Sequence, residues 1–239
     1  MIQIGLVEDN ERYRLLIKNE IGKVKNSKLI IDASDGFELL LNLNLAKKLP
    51  DILLLDIELP KIDGLLLTSY ISRTYPSIKI IGVSSHSNKA LVTEVLNEGA
   101  RSFISKHFTS PNSAIYKQAY GNRSVFREAL DYTILNSTYI DDLLFNKGKE
   151  LKLSSSTNQI IDKKIPELTL IQRQFLLLNA ADLSYSEIAL IMNKSLPSIK
   201  KYLAYFLEKF EVKNKSELIT YCIKNGFVKL PALYDQYAN

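Results

Sequence analysis

Short apolar runs near residues 2–7, 29–33, 52–56, 78–83 and 102–105 alternate with stretches of helical periodicity near 10–22, 36–48, 64–74 and 87–98, and a further helix falls within 111–145. This alternation leaves few architectures. Parallel strands need a crossover between them, and the intervening helices supply it. The chain is expected to open with an α/β domain, a doubly wound sheet of five parallel strands. Local signals agree with these boundaries. Asn10 is placed to cap the first helix and Ser34 or Asp35 the second. Pro60 and Gly64 bound the turn after the third run, and Gly99 is a stop for the fourth helix.

What ends each run matters more than the run itself. The first run ends in Glu8-Asp9, the third in Asp56, the fourth in Ser84, and the fifth is followed by Lys106. In a parallel sheet the ligand site lies outside the carboxyl ends of the strands. Three carboxylates, one hydroxyl and one ammonium are therefore expected on one rim. Three acids suit a hard divalent cation, and Mg²⁺ takes carboxylates together with phosphate oxygens. A hydroxyl and a lysine beside such a cation suit a phosphoryl group. Asp56 as a mere turn or cap residue is disfavoured, because it follows four apolar residues and shares the rim of the acid pair.

The length of 239 residues allows one large or two small domains. No apolar run is long enough to span a bilayer, and no basic segment precedes the first run as in a secretory signal. A single cysteine, Cys222, fits a reducing cytoplasm. Charge is uneven: residues 1–145 hold 17 basic and 17 acidic side chains, residues 146–239 hold 14 and 9. The whole excess lies in the second half, which points to nucleic acid as that half's partner.

Between the halves, residues 147–165 read as a polar linker, and 230–239 as a C-terminal tail. Residues 166–229 read as a small all-α domain of four short helices. Ser184 and Glu187 have capping-box spacing. Ser195 is placed to cap the next helix, with Pro197 in its first turn. Ile199, Leu203, Phe206 and Phe210 form one apolar stripe, and Lys200, Lys201, Ala204, Tyr205 and Glu208 fall opposite. Two helices joined by a tight break, the second with basic residues near its start, make a helix-turn-helix.

Both halves resemble known modules. Glu8-Asp9, Asp56 with "LPKIDG" close behind, Ser84, and "GARSFISK" ending in Lys106 resemble the flavodoxin-like receiver domain of bacterial response regulators, here residues 1–146. The stretch 107–125 is longer than that family leads one to expect and is taken as an extended loop. A last helix is expected at 123–136 and a short helix at 138–146. The second half resembles the LuxR-type DNA-binding domain of the NarL/FixJ class. Matching positions include Leu168-Thr169, Arg173, Glu187-Ile188-Ala189, Ser198-Ile199-Lys200, Lys209 through Val212, and Asn225-Gly226. Departures stand at Gln172, where an acid is usual, at Asp182, where a glycine is usual and a left-handed turn is expected, and at Tyr202 and Ala204, which alter the sequence preference.

The resemblance implies a DNA-binding transcriptional response regulator of a two-component system. Asp56 is then the phosphoacceptor from a sensor histidine kinase. Mg²⁺ is held by Glu8, Asp9, Asp56 and the backbone carbonyl of Glu58. Ser84 and Lys106 bind the phosphoryl group, and Phe103 stands at the aromatic switch position. Lys194, Ser198, Lys200, Lys201, Tyr202, Ala204 and Tyr205 face double-stranded DNA, bound by a homodimer that forms on activation. The protein is cytoplasmic, contacts no membrane, and is no enzyme beyond slow self-dephosphorylation. One alternative is a phosphorylation-independent DNA-binding regulator that uses the receiver for dimerisation. Another, of a different class, is a Mg²⁺-dependent phosphohydrolase with an aspartyl-phosphate intermediate, for which Glu58 has the spacing of a proton donor.

Overall fold

The computed structural model describes residues 1–85, 89–141, 143 and 168–229. The expected linker at 147–165 and tail at 230–239 lie outside them. The chain divides into two compact units, whose described residues fall within 1–143 and 168–229.

In the first unit the apolar runs become strands β1 (Ile2–Val7), β2 (Ser27–Ala33), β3 (Ile52–Asp56), β4 (Lys79–Ser84) and β5 (Ser102–Ser105). All pairings are parallel, in the order β2-β1-β3-β4-β5. The fold is therefore the expected flavodoxin-like α/β sheet. Every residue of β3 is buried, as a central strand covered on both faces requires, whereas the edge strand β2 alternates. From β1 the chain turns to β2 on one side, then crosses to β3 on the other. This reversal opens a crevice beyond the ends of β1 and β3.

Helices α1 (Glu11–Lys23), α2 (Gly36–Leu45), α3 (Gly64–Thr74) and α4 (Lys89–Asn97) cross between the strands. Asn10 caps α1, its Oδ1 accepting from the backbone N–H groups of Arg12 and Tyr13 at 3.1 and 3.2 Å. Asp35, not Ser34, caps α2 through the N–H of Glu38 at 2.8 Å. Asp63 caps α3 through the N–H of Leu65 at 2.8 Å. Gly64 opens α3 because nothing larger fits: a Cβ there would stand 2.4 Å from the Asp56 carbonyl oxygen and from Ile57 Cα. The turn after β3 thus packs directly on that strand's end.

Two stretches differ from the sequence reading. The segment 107–125 is not a plain loop. A 3-10 turn at Lys106–Thr109 is followed by α5 (Ala114–Tyr120). Ser113 caps α5 through the N–H of Tyr116 at 3.1 Å. Tyr116 and Tyr120, one turn apart, are buried in the core shared with Ile17 and Ile21 of α1. Burial of these two rings, 4.8 Å apart between centroids, stabilises a helix too short to persist alone. Helix α6 (Val125–Ile134) follows, within the expected 123–136.

The expected helix at 138–146 is not formed by residues 138–141, whereas Leu143 lies in a 3-10 turn. Residues 139–141 are extended and line the open edge of β5. The Phe103 N–H donates to the Tyr139 carbonyl at 2.9 Å, and the Asp141 N–H donates to the Phe103 carbonyl at 3.0 Å. An unpaired strand edge offers these partners, and they outweigh local helix propensity. Asp141 is fully buried and fastens the segment: it accepts from the N–H of Ser105 at 2.8 Å, the N–H of Leu143 at 2.9 Å, and the Tyr120 hydroxyl. Asp141→Ala strands these donors away from water. It is expected to lower unfolding free energy by about 2–4 kcal/mol. Urea denaturation checks this; an unchanged midpoint would show that the segment carries no stability.

The second unit holds α7 (Leu170–Ala180), α8 (Tyr185–Ile191), α9 (Leu196–Lys209) and α10 (Lys215–Lys224). Capping boxes start α7 at Thr169–Gln172 and α8 at Ser184–Glu187, and Ser195 caps α9 with Pro197 in the first turn. The core is aromatic: Phe175 and Phe206 stack at 5.8 Å with their planes 2° apart, and Phe210 stacks on Tyr221 at 4.5 Å. Cys222 is buried there, and burial pushes its thiol pKa up to about 12, so it is inert packing. The left-handed residue between α8 and α9 is Asn193 (φ 49°); Asp182 does not adopt a positive φ, so its departure from glycine costs the backbone nothing.

Candidate functional site

The crevice beyond β1 and β3 gathers the residues marked in the sequence. Glu8 and Asp9 directly follow β1, Asp56 ends β3, Ser84 ends β4, and Lys106 directly follows β5. Glu8, Asp56, Ser84 and Lys106 are buried, while Asp9 is exposed. Lys106 Nζ lies 2.9 Å from Asp56 Oδ2, and 2.9 and 2.8 Å from the two oxygens of Glu8. The lysine therefore ties the end of β5 to the ends of β1 and β3. The N–H of Glu58 donates to Asp56 Oδ1 at 3.1 Å, which orients the carboxylate. The Ser84 hydroxyl is within 3.4 Å of Glu58 Oε1, a long hydrogen bond. Phe103 is fully buried on β5, its ring against Gly82 of β4, where an added Cβ would stand 2.9 Å from it.

The electrostatics follow from burial. Glu8 is raised to about 7 by burial and then by the Asp56 charge, against the opposing pull of Lys106. Burial also raises Asp56, against Lys106 and the Glu58 N–H. For Lys106, burial favours the neutral amine, but the Asp56 charge and the hydrogen bonds to Glu8 and Asp56 win, and its pKa is raised. Two buried carboxylates held above their usual range by burial gain from any further cation.

A divalent cation suits this donor set. Ligand oxygens of Glu8, Asp9 and Asp56 lie within 4.8 Å of one another. Oxygens on opposite sides of an octahedral Mg²⁺ stand about 4.2 Å apart, so a small inward shift closes the shell. Three carboxylates against one ammonium leave the charge that such an ion neutralises.

Two neighbours of the site carry no sequence signal strong enough to mark them. The Tyr13 ring lies over Lys106, 4.9 Å from Nζ to ring centroid. Asp63 is raised to about 6 by burial, with smaller contributions from the Asp56 and Glu58 charges. A raised carboxyl binds its proton more tightly folded than unfolded, so its ionisation costs stability as pH rises from about 4 to about 6. Asp63→Asn keeps the cap oxygen and removes that cost. The variant is expected to gain stability over wild type at pH 8 and to lose the gain near pH 4. Thermal melts across this range are the check; a constant difference would contradict the assignment.

In the second unit, Lys194 lies exposed in the turn before α9, and Lys200, Lys201, Ala204 and Tyr205 are exposed along that helix. Ser198 is half-buried, its hydroxyl 2.8 Å from that of Ser195. Tyr202 is turned differently: it is half-buried and its ring stacks on Phe175 at 5.7 Å. Tyr205 accepts from Lys209 Nζ at 2.9 Å.

Residues 4–115 match the family described as the response regulator receiver domain. The first unit is therefore a response regulator receiver domain. The four helices of the second unit follow it. Among curated relatives, the transcriptional regulatory protein DegU of Brevibacillus brevis is 25% identical over 236 residues, 96% of each chain. The response regulator protein VraR of Staphylococcus saprophyticus is 20% identical over 229 residues, covering 95% of this chain and 99% of that one. Among solved structures, RcsB dimers bound to two parallel DNAs share the fold with a TM-score of 0.50 and 20% identity, over 94% of this chain and 98% of that one. Among the described residues, no helix of this chain is long and apolar enough to cross a membrane.

Proposed function

We propose that this chain is a response regulator that binds double-stranded DNA through α9 and regulates transcription, and that phosphoryl transfer to Asp56 controls that binding. The observation that carries the proposal is the buried lysine bonded at once to Glu8 and Asp56. It keeps a cation where a transferred phosphoryl group's charge arrives. The DNA-bound RcsB fold and the regulatory relatives support the reading of DNA binding and transcriptional regulation.

The donor is the phosphohistidine of a sensor histidine kinase. An Asp56 carboxylate oxygen attacks phosphorus, the nitrogen–phosphorus bond breaks, and the imidazole leaves. Glu8, Asp9, Asp56 and the Glu58 carbonyl hold Mg²⁺, which when bound neutralises charge on the phosphoryl oxygens. Lys106 passes from the carboxylates to a phosphoryl oxygen. Ser84 exchanges its long bond to Glu58 for another phosphoryl oxygen. Phe103, a ring without a hydroxyl, follows Ser84 by packing alone. The neighbouring face of α4, β5 and the last receiver helix repacks, and a homodimer engages two DNA half-sites. Lys194, Ser198, Lys200, Lys201, Ala204 and Tyr205 meet the DNA, with Tyr202 supporting α9 from behind. The single cysteine suits a cytoplasmic setting. The group stays on Asp56 until slow hydrolysis, so the receiver is a switch and not a turnover enzyme.

The test is phosphoryl incorporation from acetyl phosphate, followed by intact mass. Wild type with Mg²⁺ is expected to gain one phosphoryl group, and chelation with EDTA to prevent it. Glu8→Ala with Asp9→Asn is expected to stay folded and unlabelled. Labelling of that double variant at the wild-type rate would contradict the metal assignment.

A further inference from the structure

We infer that Tyr13 is a positioning residue for Lys106, its ring face holding the ammonium in line with Asp56. The inference rests on the proposed phosphoryl transfer and adds a residue to it. A cation within about 6 Å of a tyrosine centroid is attracted by the ring quadrupole, more strongly where water is excluded. Lys106 Nζ meets that condition at 4.9 Å and is buried.

The placement of the ring is built, not incidental. Asn10 Oδ1 accepts the Tyr13 N–H at 3.2 Å and so fixes where α1 begins. The N–H of Asn10 in turn donates to Glu8 Oε1 at 3.3 Å. That same oxygen accepts from Lys106 Nζ. Glu8, Asn10, Tyr13 and Lys106 therefore form a closed circuit: carboxylate to cap, cap to the Tyr13 backbone, Tyr13 ring to ammonium, ammonium back to carboxylate. Glu8 and Asp56 pull the ammonium from the sheet side, and the ring bounds it from the α1 side. When Asp56 carries a phosphoryl group, the carboxylate bond to Lys106 is exchanged for a phosphoryl oxygen. The ring remains as a partner that the exchange does not consume. It limits how far the lysine strays while its anionic partners change, and a misplaced stabilising group loses rate steeply.

The contact and its role are tested separately on the full chain. Ring currents should shift the Lys106 ε-methylene protons upfield in wild type and in Tyr13→Phe, with the resonance assigned by its loss in Lys106→Met. Tyr13→Leu should return them to the ordinary lysine position. Phosphoryl incorporation from acetyl phosphate with Mg²⁺ is then followed at several donor concentrations. Tyr13→Leu is expected to lower the maximal rate about three- to tenfold, with the half-saturating donor concentration unchanged. Tyr13→Phe is expected to match wild type, because the ring face and not the hydroxyl acts. An unshifted lysine signal in wild type, an unchanged or faster rate in Tyr13→Leu, or an equal loss in Tyr13→Phe overturns the inference while leaving the proposed function standing. Unlabelled wild type sinks the proposed function, and this role with it.

Discussion

Asp56→Asn is expected to take up no phosphoryl group from acetyl phosphate under conditions that label wild type fully. An amide is no nucleophile and brings no negative charge to a hard cation, and neither acid of the Glu8-Asp9 pair is placed to replace it. Asp9 is exposed, and Glu8 is held by Lys106 and the Asn10 N–H. The substitution also removes one of the two buried anions that hold Lys106, so the fold should survive with the lysine on Glu8 alone. Intact mass and peptide mapping read the result. Labelling of Asp56→Asn at the wild-type level would move the acceptor elsewhere and take the site assignment with it.

Lys200→Ala and Lys201→Ala are expected to weaken DNA binding without disturbing the second unit. Both side chains are exposed on α9, while the core beneath is made by Ile199 and Phe206, both fully buried. A lysine that reads a base edge should cost about 1–3 kcal/mol when removed and relax preference at one position. A lysine that meets only phosphate should lower affinity evenly and reduce the salt slope by about one. Binding titrations at several salt concentrations separate the two, with circular dichroism as the folding control. Wild-type affinity and salt slope in the double variant would mean that α9 does not enter the groove.

The parts legible in sequence share one cause. Strands buried on both faces are written as unbroken apolar runs, so the polar residue that ends each run also marks the rim. Glu8, Asp9, Asp56, Ser84 and Lys106 were readable for that reason, as were the caps at Asn10 and Ser195, whose signals are local. The tyrosine over the lysine was not, because Tyr13 and Lys106 are joined only by the fold, and a cation–π contact imposes no spacing. Helix α5 was hidden because seven residues hold too few turns to show a period, and its stability comes from Tyr116 and Tyr120 packing on α1. Residues 138–141 differ from the expected helix for a related reason. "TYIDDLL" satisfies a helical pattern, but the open edge of β5 and the buried acceptor Asp141 select the extended form. On α9, the family resemblance put Tyr202 among the DNA-facing residues, and only the structure shows its ring against Phe175.

The central claim is that chemistry at Asp56 controls DNA binding by the second unit. The direct measurement is the affinity of the full chain for a duplex selected from a random pool, by fluorescence anisotropy at fixed salt. Wild type and Asp56→Asn are each titrated with and without acetyl phosphate and Mg²⁺. Binding by wild type is expected to tighten about fivefold or more when Asp56 is phosphorylated, and binding by Asp56→Asn to stay unchanged. Equal affinity of phosphorylated and unphosphorylated wild type, with modification confirmed by mass, would contradict the account.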